Sequence, residues 1–396
     1  MKNAGLVKVL AIAIAVILSL PLVLNLEVFD QAIDADVARA MDVQSLSEKP
    51  GPTYRAIVEL VDSNTEQWEG FYTACTARTQ LGCLKIVQDD LGDHPIEPGS
   101  ELATMLARYQ EVTGMTGYQS AGGSQAGFRL PRWGLLLRLG GLNLANQSLS
   151  GTGEFIEAVE RDTRFWAMLF KQSQGMLEKM VAVAGLWTNL QFVSEFAADR
   201  PLGNQERNQL EAILAGSKLD AARLTPAYLA EFRNLATLIS APHTSEKAQM
   251  MGVDKWQVTW FLQENATLNA YFHKIIEPAI RLAEQAGSKA IPLLKAPAGE
   301  VNGHSGTGSG SSFITGVFYN PVGNSIIKSA ANISDYIARV HDLNGMLGLV
   351  QYQLAEPGGP SVQLEQFVEP ALTLSKEEGS LSFACTDGQS LCRIDR

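Results

Sequence analysis

An apolar stretch at residues 4–26, AGLVKVLAIAIAVILSLPLVLNL, constrains this chain more than any other feature. Its core, residues 9–24, is interrupted only by Ser19 and Pro21, and with its flanks it approaches the roughly 20 residues that cross a bilayer as a helix. Lysines precede this core and acidic residues follow it, so the positive-inside rule places the N-terminus in the cytoplasm. The stretch predicts one transmembrane anchor in the inner (plasma) membrane, with the bulk of the chain on the periplasmic side.

The alternative for this stretch is a cleaved secretory signal. Such signals usually carry an apolar region of about 7–15 residues that ends near a small-x-small cleavage site. The nearest candidate here, Ala38-Arg39-Ala40, lies well beyond the apolar end. We therefore predict an uncleaved anchor over residues 1–26, and either interpretation exports the rest of the chain.

The net charge of the chain limits the classes of partner that it is expected to bind. The chain carries 42 acidic and 31 basic residues, and its formal net charge of −11 repels the phosphate backbone of nucleic acids. No run of Lys and Arg follows the apolar stretch. We expect no nucleic acid among the partners, and we predict the membrane, through the span, together with an envelope protein or the cell wall.

The four cysteines form two close pairs in the sequence, Cys75 with Cys83 and Cys385 with Cys392. This spacing differs from the CxxC knuckles of metal sites, so we predict no metal and no cofactor. In an oxidising compartment each pair is expected to close as a local disulfide, worth roughly 2–3 kcal/mol in the chain-entropy model. The alternative is four free buried thiols.

Helical periodicity dominates the chain after the apolar stretch. Residues 27–53 are predicted to form a stalk or linker, and residues 54–286 a helical exported domain. Early in that domain, Ser100 stands where it would cap a helix. The unusually apolar residues 133–149 contain an Arg and a Gly pair, which makes them too weak for a second span. They are predicted to form a buried helix.

Residues 151–198 carry the most regular helical pattern, with apolar residues at three- and four-residue steps. The pattern predicts two helices of ordinary length, divided at Gly175 or Gly185. Residues 255–285 form another helical block that is rich in aromatic residues. Pro278 is expected to kink this block or to mark a joint.

The composition and the expected secondary structure of the C-terminal part change at two places. Residues 287–312 are predicted to form a Gly/Ser-rich loop. Residues 313–356 predict a long amphipathic helix, or two helices end to end, that begins after Asn320 and packs on the helical domain. Residues 357–396 predict a short β-like tail with a hairpin turn at Asp387-Gly388. The fold class is thus expected to be mainly α: a transmembrane helix, an irregular multi-helix bundle or array, and a small disulfide-closed tail.

The near matches to catalytic motifs in this sequence each lack the context that the motif requires. Residues 303–307, GHSGT, begin like a nucleophile elbow but fail at the fifth position, and they lie in a low-complexity loop rather than between a strand and a helix. Residues 122–126, GGSQA, are a similar near miss. The glycines of residues 306–310 match neither a Walker loop nor a dinucleotide fingerprint.

Histidines and paired carboxylates are the remaining catalytic candidates. Carboxylate pairs such as Glu154 with Glu157 and Asp89 with Asp90 leave a glycan-cleaving mechanism open, but that chemistry needs two carboxyls facing each other across a substrate. The five histidines are scattered singly and show no HExxH or other ligand spacing: His94, His243, His273, His304 and His341.

Short motifs scattered over residues 54–356 carry a resemblance. They are the segment from Cys75 to Cys83 followed by Leu84, LARY at 106–109, DTRFW at 162–166, KMVA at 179–182, ATLN at 266–269 and YNPVG at 319–323. Together they resemble a group of uncharacterised bacterial proteins with one N-terminal span and a helical exported region. The resemblance implies that architecture, and it implies no activity or catalytic residue.

Two classes of function compete. One is a non-catalytic envelope protein, a scaffold or protein-interaction module that offers grooves to a protein or cell-wall partner. The other is an envelope hydrolase acting on glycans or peptides. We favour the first because anchoring, helical stripes and acidic faces are explained without chemistry. An apolar groove lined by residues such as Trp166, Trp187 or Trp256 would indicate binding, whereas a deep pocket with convergent carboxylates would indicate hydrolysis.

Overall fold

The computed structural model is mainly helical, with a small antiparallel sheet near the C-terminal end, which confirms the mainly α class and the β-like tail for the part of the chain it describes. None of the described helices is long and apolar enough to cross a membrane. The apolar residues 4–26 lie outside the described residues. The structure describes residues 30–42, 50–62, 82–120, 130–242, 244–285, 287–295, 319–329, 334–355, 374–377, 380–386 and 391–395.

The elements follow one another along the chain, first a series of helices and then three strands. The helices of the first half are α1 (Ala35–Asp42), α2 (Pro52–Asp62), α3 (Cys83–Asp93), α4 (Glu101–Thr113), α5 (Trp133–Ser150), α6 (Thr152–Gln172), α7 (Met176–Asp199) and α8 (Asn204–Ala215). Those of the second half are α9 (Thr225–Ser240), α10 (Ser245–Met250), α11 (Lys255–Phe261), α12 (Glu264–Tyr271), α13 (Glu277–Ala283), α14 (Gly287–Lys295), α15 (Pro321–Ser329) and α16 (Ser334–Ala355). The strands are β1 (Leu374–Glu377), β2 (Ser380–Ala384) and β3 (Leu391–Asp395).

The chain divides into two compact units, each built from separate stretches of sequence. Unit 1 comprises Met1–Gln44, Tyr228–Arg281 and Pro297–Ile333. Unit 2 comprises Ser45–Ala227, Leu282–Ala296 and Ser334–Arg396. The predicted helical domain of residues 54–286 therefore contributes to both units.

Helices α6 and α7 form the centre of unit 2. Helix α5 packs on both of them, and α16 packs along α7. Phe155 of α6 stacks on Phe196 of α7 with ring centroids 4.1 Å apart. The predicted pair of helices over residues 151–198 is confirmed, and the division lies at Gly175, directly before α7. The buried helix predicted for residues 133–149 is α5.

The other predicted division point, Gly185, lies inside α7 and has a packing role. A Cβ atom at this position would lie 2.4 Å from ring atoms of Trp166 on α6, closer than real Cβ contacts occur. Trp166 is 1 % exposed. Glycine at position 185 is therefore what allows the backbone of α7 to approach the indole of α6.

Helix starts in the structure follow the chemistry of capping. The predicted cap at Ser100 is confirmed, since its Oγ accepts a hydrogen bond from the backbone N–H of Ala103 at 3.2 Å. Asn320 caps α15 in the same way through the N–H of Gly323. A third cap comes from far along the chain: the Glu195 carboxylate accepts hydrogen bonds from the first backbone N–H groups of α3, at Cys83 and Leu84.

The helical block predicted for residues 255–285 is divided into α11, α12 and α13, with a π-helical turn at Phe272–Ile276 between the last two. Pro278 is the second residue of α13, directly after the π-helical turn, so it marks a joint as predicted. A buried apolar cluster joins α10, α11 and α15 through Ala248, Val258, Leu262 and Val322.

The C-terminal strands form an antiparallel sheet in the order β1-β2-β3, and β3 packs on α7 and α16. The sulfur atoms of Cys385 and Cys392 lie at disulfide distance, 2.10 Å. Asp387-Gly388 and Cys75 lie outside the described residues, so the hairpin turn and the Cys75–Cys83 disulfide stay predictions. The predicted helix over residues 313–356 corresponds to α15 in unit 1 and α16 in unit 2.

The helix crossing at Gly185 gives a direct test of this packing. We expect Gly185→Ala to lower the free energy of unfolding by about 1–3 kcal/mol, because its methyl group would overlap the Trp166 ring. The matched control is Gly141→Ala on α5, where the nearest atom to an added Cβ is 3.7 Å away. That change should be neutral or stabilise by up to about 1 kcal/mol through helix propensity. Urea unfolding of the full chain in mild detergent, followed by circular dichroism, measures both variants. Equal free energies of unfolding for Gly185→Ala and Gly141→Ala would contradict this packing.

Candidate functional site

A groove of about 860 Å³ runs between α6 and α8 in unit 2, and we call it the α6–α8 groove. On α6 its lining extends from Gly153 to Gln172, a length of about 28 Å along the helix. Buried side chains of α6 form its floor: the apolar Ile156 and Ala167, with the polar Thr163 between them. The opposite wall is short and consists of α8 and the residue that follows it. The groove thus has the length of a polypeptide segment rather than of a small molecule.

Charged side chains stand in a fixed order along the α6 side of the groove. Glu157 and Glu160 lie toward the N-terminal end of α6, and Arg164 and Lys171 lie toward its C-terminal end. All four are exposed. Glu160 and Arg164 form an ion pair one turn apart, which is worth little between exposed groups and can open for a partner. The rim is therefore acidic at one end and basic at the other.

The opposite wall carries no charge. It is formed by Gln209, Ala212, Ile213 and Gly216. Two-carboxylate hydrolysis needs a pair of carboxyls across the substrate, roughly 5–10 Å apart, whereas the groove glutamates lie on one helix. The described residues that line the groove include no Ser, Cys or His. The arrangement can hold a ligand, but it does not place two catalytic groups on opposite sides of it.

Beneath the groove helix, α6 also carries a buried carboxyl group. Asp162 is fully buried and accepts a hydrogen bond of 2.8 Å from the Tyr109 hydroxyl, while its Oδ1 has no hydrogen-bond partner among the described residues. Burial raises the pKa of Asp162 to about 7, although the hydrogen bond from Tyr109 acts in the opposite direction. Gly140 leaves room for this pair, since a Cβ there would lie 2.7 Å from the Tyr109 hydroxyl.

A second buried carboxyl group stands at the start of α7. Glu178 accepts hydrogen bonds from the hydroxyls of Tyr118, at 2.7 Å, and Ser120. Burial raises the pKa of Glu178, and these two hydrogen bonds lower it. The neighbouring Lys179 is 1 % exposed and donates to the backbone carbonyl of Phe170; burial lowers its pKa to about 8. These groups tie α7 to distant segments and do not line the groove.

The sequence-predicted catalytic candidates are dispersed. Glu157 lines the groove, but Glu154 is not among its lining residues. Asp89 lies 4.0 Å from Lys85 on the surface of α3. His94 is exposed at the end of α3, and His341 is buried in α16. Outside the described residues lie His243, His304, Ser124 and Ser305.

The tryptophans considered as groove lining separate into two groups. Trp166 and Trp187 are 1 % and 4 % exposed and belong to the core of unit 2. Trp256 is 56 % exposed on α11 of unit 1. None of the three is among the residues that line the α6–α8 groove.

The disulfide at the C-terminal sheet lies beside a buried acidic group. Asp342 accepts hydrogen bonds from the backbone N–H and the hydroxyl of Thr386, at 2.9 and 3.0 Å. One carboxylate oxygen and the two sulfurs of Cys385 and Cys392 lie within 4.8 Å of one another. Because the sulfurs are joined to each other, they offer no thiolate to a metal ion. The cluster therefore has a structural role in the described part of the chain.

Sequence reasoning missed the α6–α8 groove. A signal was present, because α6 carries exposed charges at steps of three, four and seven residues beside buried Ile156 and Ala167. The sequence does not say, however, which helix packs beside this face. No family model, curated protein or solved structure matches the chain.

The raised pKa of Asp162 predicts a specific pH dependence. The folded protein binds a proton at Asp162 between about pH 4 and pH 7 that the unfolded chain does not bind, so this group lowers stability as pH rises through that window. The Asp162→Asn variant has no carboxyl group at this position, so it does not lose stability in this way as pH rises. We expect the stability of the variant relative to wild type to rise by at most about 1.4 kcal/mol per pH unit across the window and to level off above it.

The control for this experiment is Asp89→Asn on the surface of α3. Its stability relative to wild type should change little over the same pH range, because Asp89 is exposed. Unfolding midpoints of the full chain in mild detergent, measured at several pH values, make the comparison. An Asp162→Asn profile parallel to that of the wild type would show that Asp162 ionises normally in the folded protein.

Proposed function

We propose that this chain is a membrane-tethered, non-catalytic protein-interaction module of the bacterial envelope, which binds a polypeptide segment of a partner in the α6–α8 groove. The proposal places the N-terminus in the cytoplasm and the helical body on the outer side of the inner membrane. The observation that carries it is the form of the groove: an elongated floor with apolar side chains at both ends and an ordered charged rim.

The groove has the features by which proteins bind a helical or extended segment. Apolar floor residues such as Ile156 and Ala167 are suited to the apolar side chains of one face of such a segment. The acidic pair Glu157 and Glu160 would attract basic residues at one end of it, and Lys171 would attract acidic residues at the other. A segment with the reverse orientation would meet like charges, so the rim favours one direction of binding.

The alternative, an envelope hydrolase, receives less support from the same site. The groove glutamates lie one turn apart on α6, and the α8 wall offers the Gln209 amide and apolar or small residues. A glycan between the walls would therefore meet carboxylates on one side only.

The tether rests on the sequence. Residues 4–26 have the length and apolar character of a single span, and the charges on either side follow the positive-inside rule. The resemblance to single-span bacterial proteins with helical exported regions points to the same placement.

A matched pair of substitutions on α8 tests the groove. Ala212 is exposed and lines the groove, whereas Ala215 is exposed on the same helix and is not among the lining residues. With a photo-crosslinking amino acid at Gln209 of the full chain in cells, we expect a discrete crosslinked polypeptide. Ala212→Trp fills the groove and should reduce this product at least about tenfold, and Ala215→Trp should leave it unchanged.

Two results would contradict the proposal. One is an equal yield of crosslinked product with Ala212→Trp and Ala215→Trp, which would place the contact outside the groove. The other is hydrolysis of cell-wall glycan or peptide by the purified chain that is lost in Glu157→Gln. The second result would favour the hydrolase.

A further inference from the structure

Two half-exposed tryptophans stand on α11 of unit 1. Trp256 is 56 % exposed and Trp260 is 49 % exposed, and their spacing of four residues puts both on one face of the helix. They border an open hollow of about 680 Å³ together with Asp254, Lys255 and Thr259. The opposite face of α11 is fixed, since Val258 is fully buried in the cluster with Ala248 and Leu262. The two indoles therefore project from a held helix rather than from a free loop.

An exposed indole pair of this kind has a preferred environment. Burial of these two large aromatic side chains away from water would be favourable, because of their large apolar surface. Tryptophan is enriched at membrane–water interfaces, because its apolar ring enters the acyl boundary while its N–H group stays at the polar level. Lys255 and Asp254 are both exposed beside Trp256, so their charges offset and the indoles are the groups that favour lipid.

The first described residues of the chain, 30–32, form hydrogen bonds with α12 in unit 1. The Asp30 carboxylate accepts hydrogen bonds from the backbone N–H groups of Asn265 and Ala266, at 2.9 and 3.0 Å, at the start of α12. Asn269 donates from its side chain to the carbonyl of Ala32 at 2.8 Å. Residues 30–32 are thus held against the helix that follows α11.

A further contact is made by His273, in the π-helical turn that follows α12. His273 lies between the carboxylates of Asp34 and Glu277, at 3.0 and 2.8 Å. The hydrogen bond with Glu277 and the bond with Asp34 raise the pKa of His273. The segment after the apolar stretch is therefore fixed to unit 1 by both backbone and side-chain contacts.

Chain length then limits how far α11 can be from the apolar stretch. Residue 26 and Asp30 are four residues apart, a span of at most about 14 Å. Trp260 and Asn265 are five residues apart, which adds at most about 18 Å. Together with the hydrogen bond that joins Asn265 to Asp30, these lengths keep Trp260 within about 40 Å of the end of the apolar stretch.

We propose that Trp256 and Trp260 insert into the interfacial layer of the membrane that carries the tether, and so hold unit 1 against the lipid surface. The occupant of this face is the phospholipid headgroup and acyl boundary. The inference rests on the proposed membrane tether and is independent of the α6–α8 groove.

Fluorescence quenching in vesicles tests the inference with the full chain. The chain is incorporated into vesicles of phosphatidylethanolamine and phosphatidylglycerol that contain lipids brominated near the headgroup. We expect these lipids to quench the wild-type tryptophan emission, and we expect Trp256→Phe with Trp260→Phe to lower the quenched fraction at least about twofold. Each single substitution should lower it in part, which guards against a folding defect of the double variant.

The matched control is Trp133→Phe, at a buried site in α5. It should leave the amount of quenched emission unchanged, and circular dichroism should show the same helix content in all variants. Equal quenching in the wild type and in the double variant, or no quenching of a vesicle-bound wild type, would overturn the inference; in the latter case another part of the chain or a protein covers this face.

A separate readout distinguishes failure of the tether from failure of the inference. After an alkaline carbonate wash, the wild-type chain should float with the vesicles. If it floats and the double variant is quenched as strongly as wild type, the tether stands and the inference is wrong. If it does not float, the tether is wrong and the inference falls with it, while the groove is still judged by the Ala212→Trp and Ala215→Trp comparison.

Discussion

The close crossing of α6 and α7, where the indole of Trp166 lies against Gly185, is the contact on which the rest of unit 2 depends. It puts the buried face of α6 against α7 and orients the helix about its own axis. The opposite face, with its charges, is thereby turned toward α8 and forms one side of the groove. A groove whose floor belongs to a close-packed helix is preorganised, so a ligand does not have to order it.

Buried polar groups add specificity to this apolar packing. Asp162 bonds to Tyr109, Glu178 to Tyr118 and Ser120, and Asp342 to Thr386, in each case across a long separation in sequence. Removing one partner would leave a buried polar group without its hydrogen bond, which is costly. Such pairs favour one arrangement of helices over others with similar apolar contacts. They explain why acidic residues in the core of unit 2 need no catalytic role.

Unit 1 uses a half-buried carboxylate at a helix end for attachment. Asp30 accepts hydrogen bonds from the N-terminal N–H groups of α12, where an anion also interacts favourably with the helix dipole. His273 adds a second link through Asp34. The position of the segment that follows the apolar stretch is therefore set by directional bonds. These bonds fix residues 30–34 to α12 and to the π-helical turn in unit 1.

The sequence by itself determined the helical class, the cap at Ser100, a division of residues 151–198 at Gly175 or Gly185, and the buried helix α5, because these follow from local periodicity and from hydrogen bonding within a few residues. The apolar stretch at residues 4–26 and the charges on either side of it are also visible in the sequence alone. It did not reveal the role of Gly185, which depends on a ring nineteen positions earlier in another helix. The groove, the cap on α3 by Glu195 and the hydrogen bonds of Asp30 were decided only by tertiary structure. Each joins residues that lie far apart in the chain, and side-chain periodicity says which face of a helix is buried but not which element buries it.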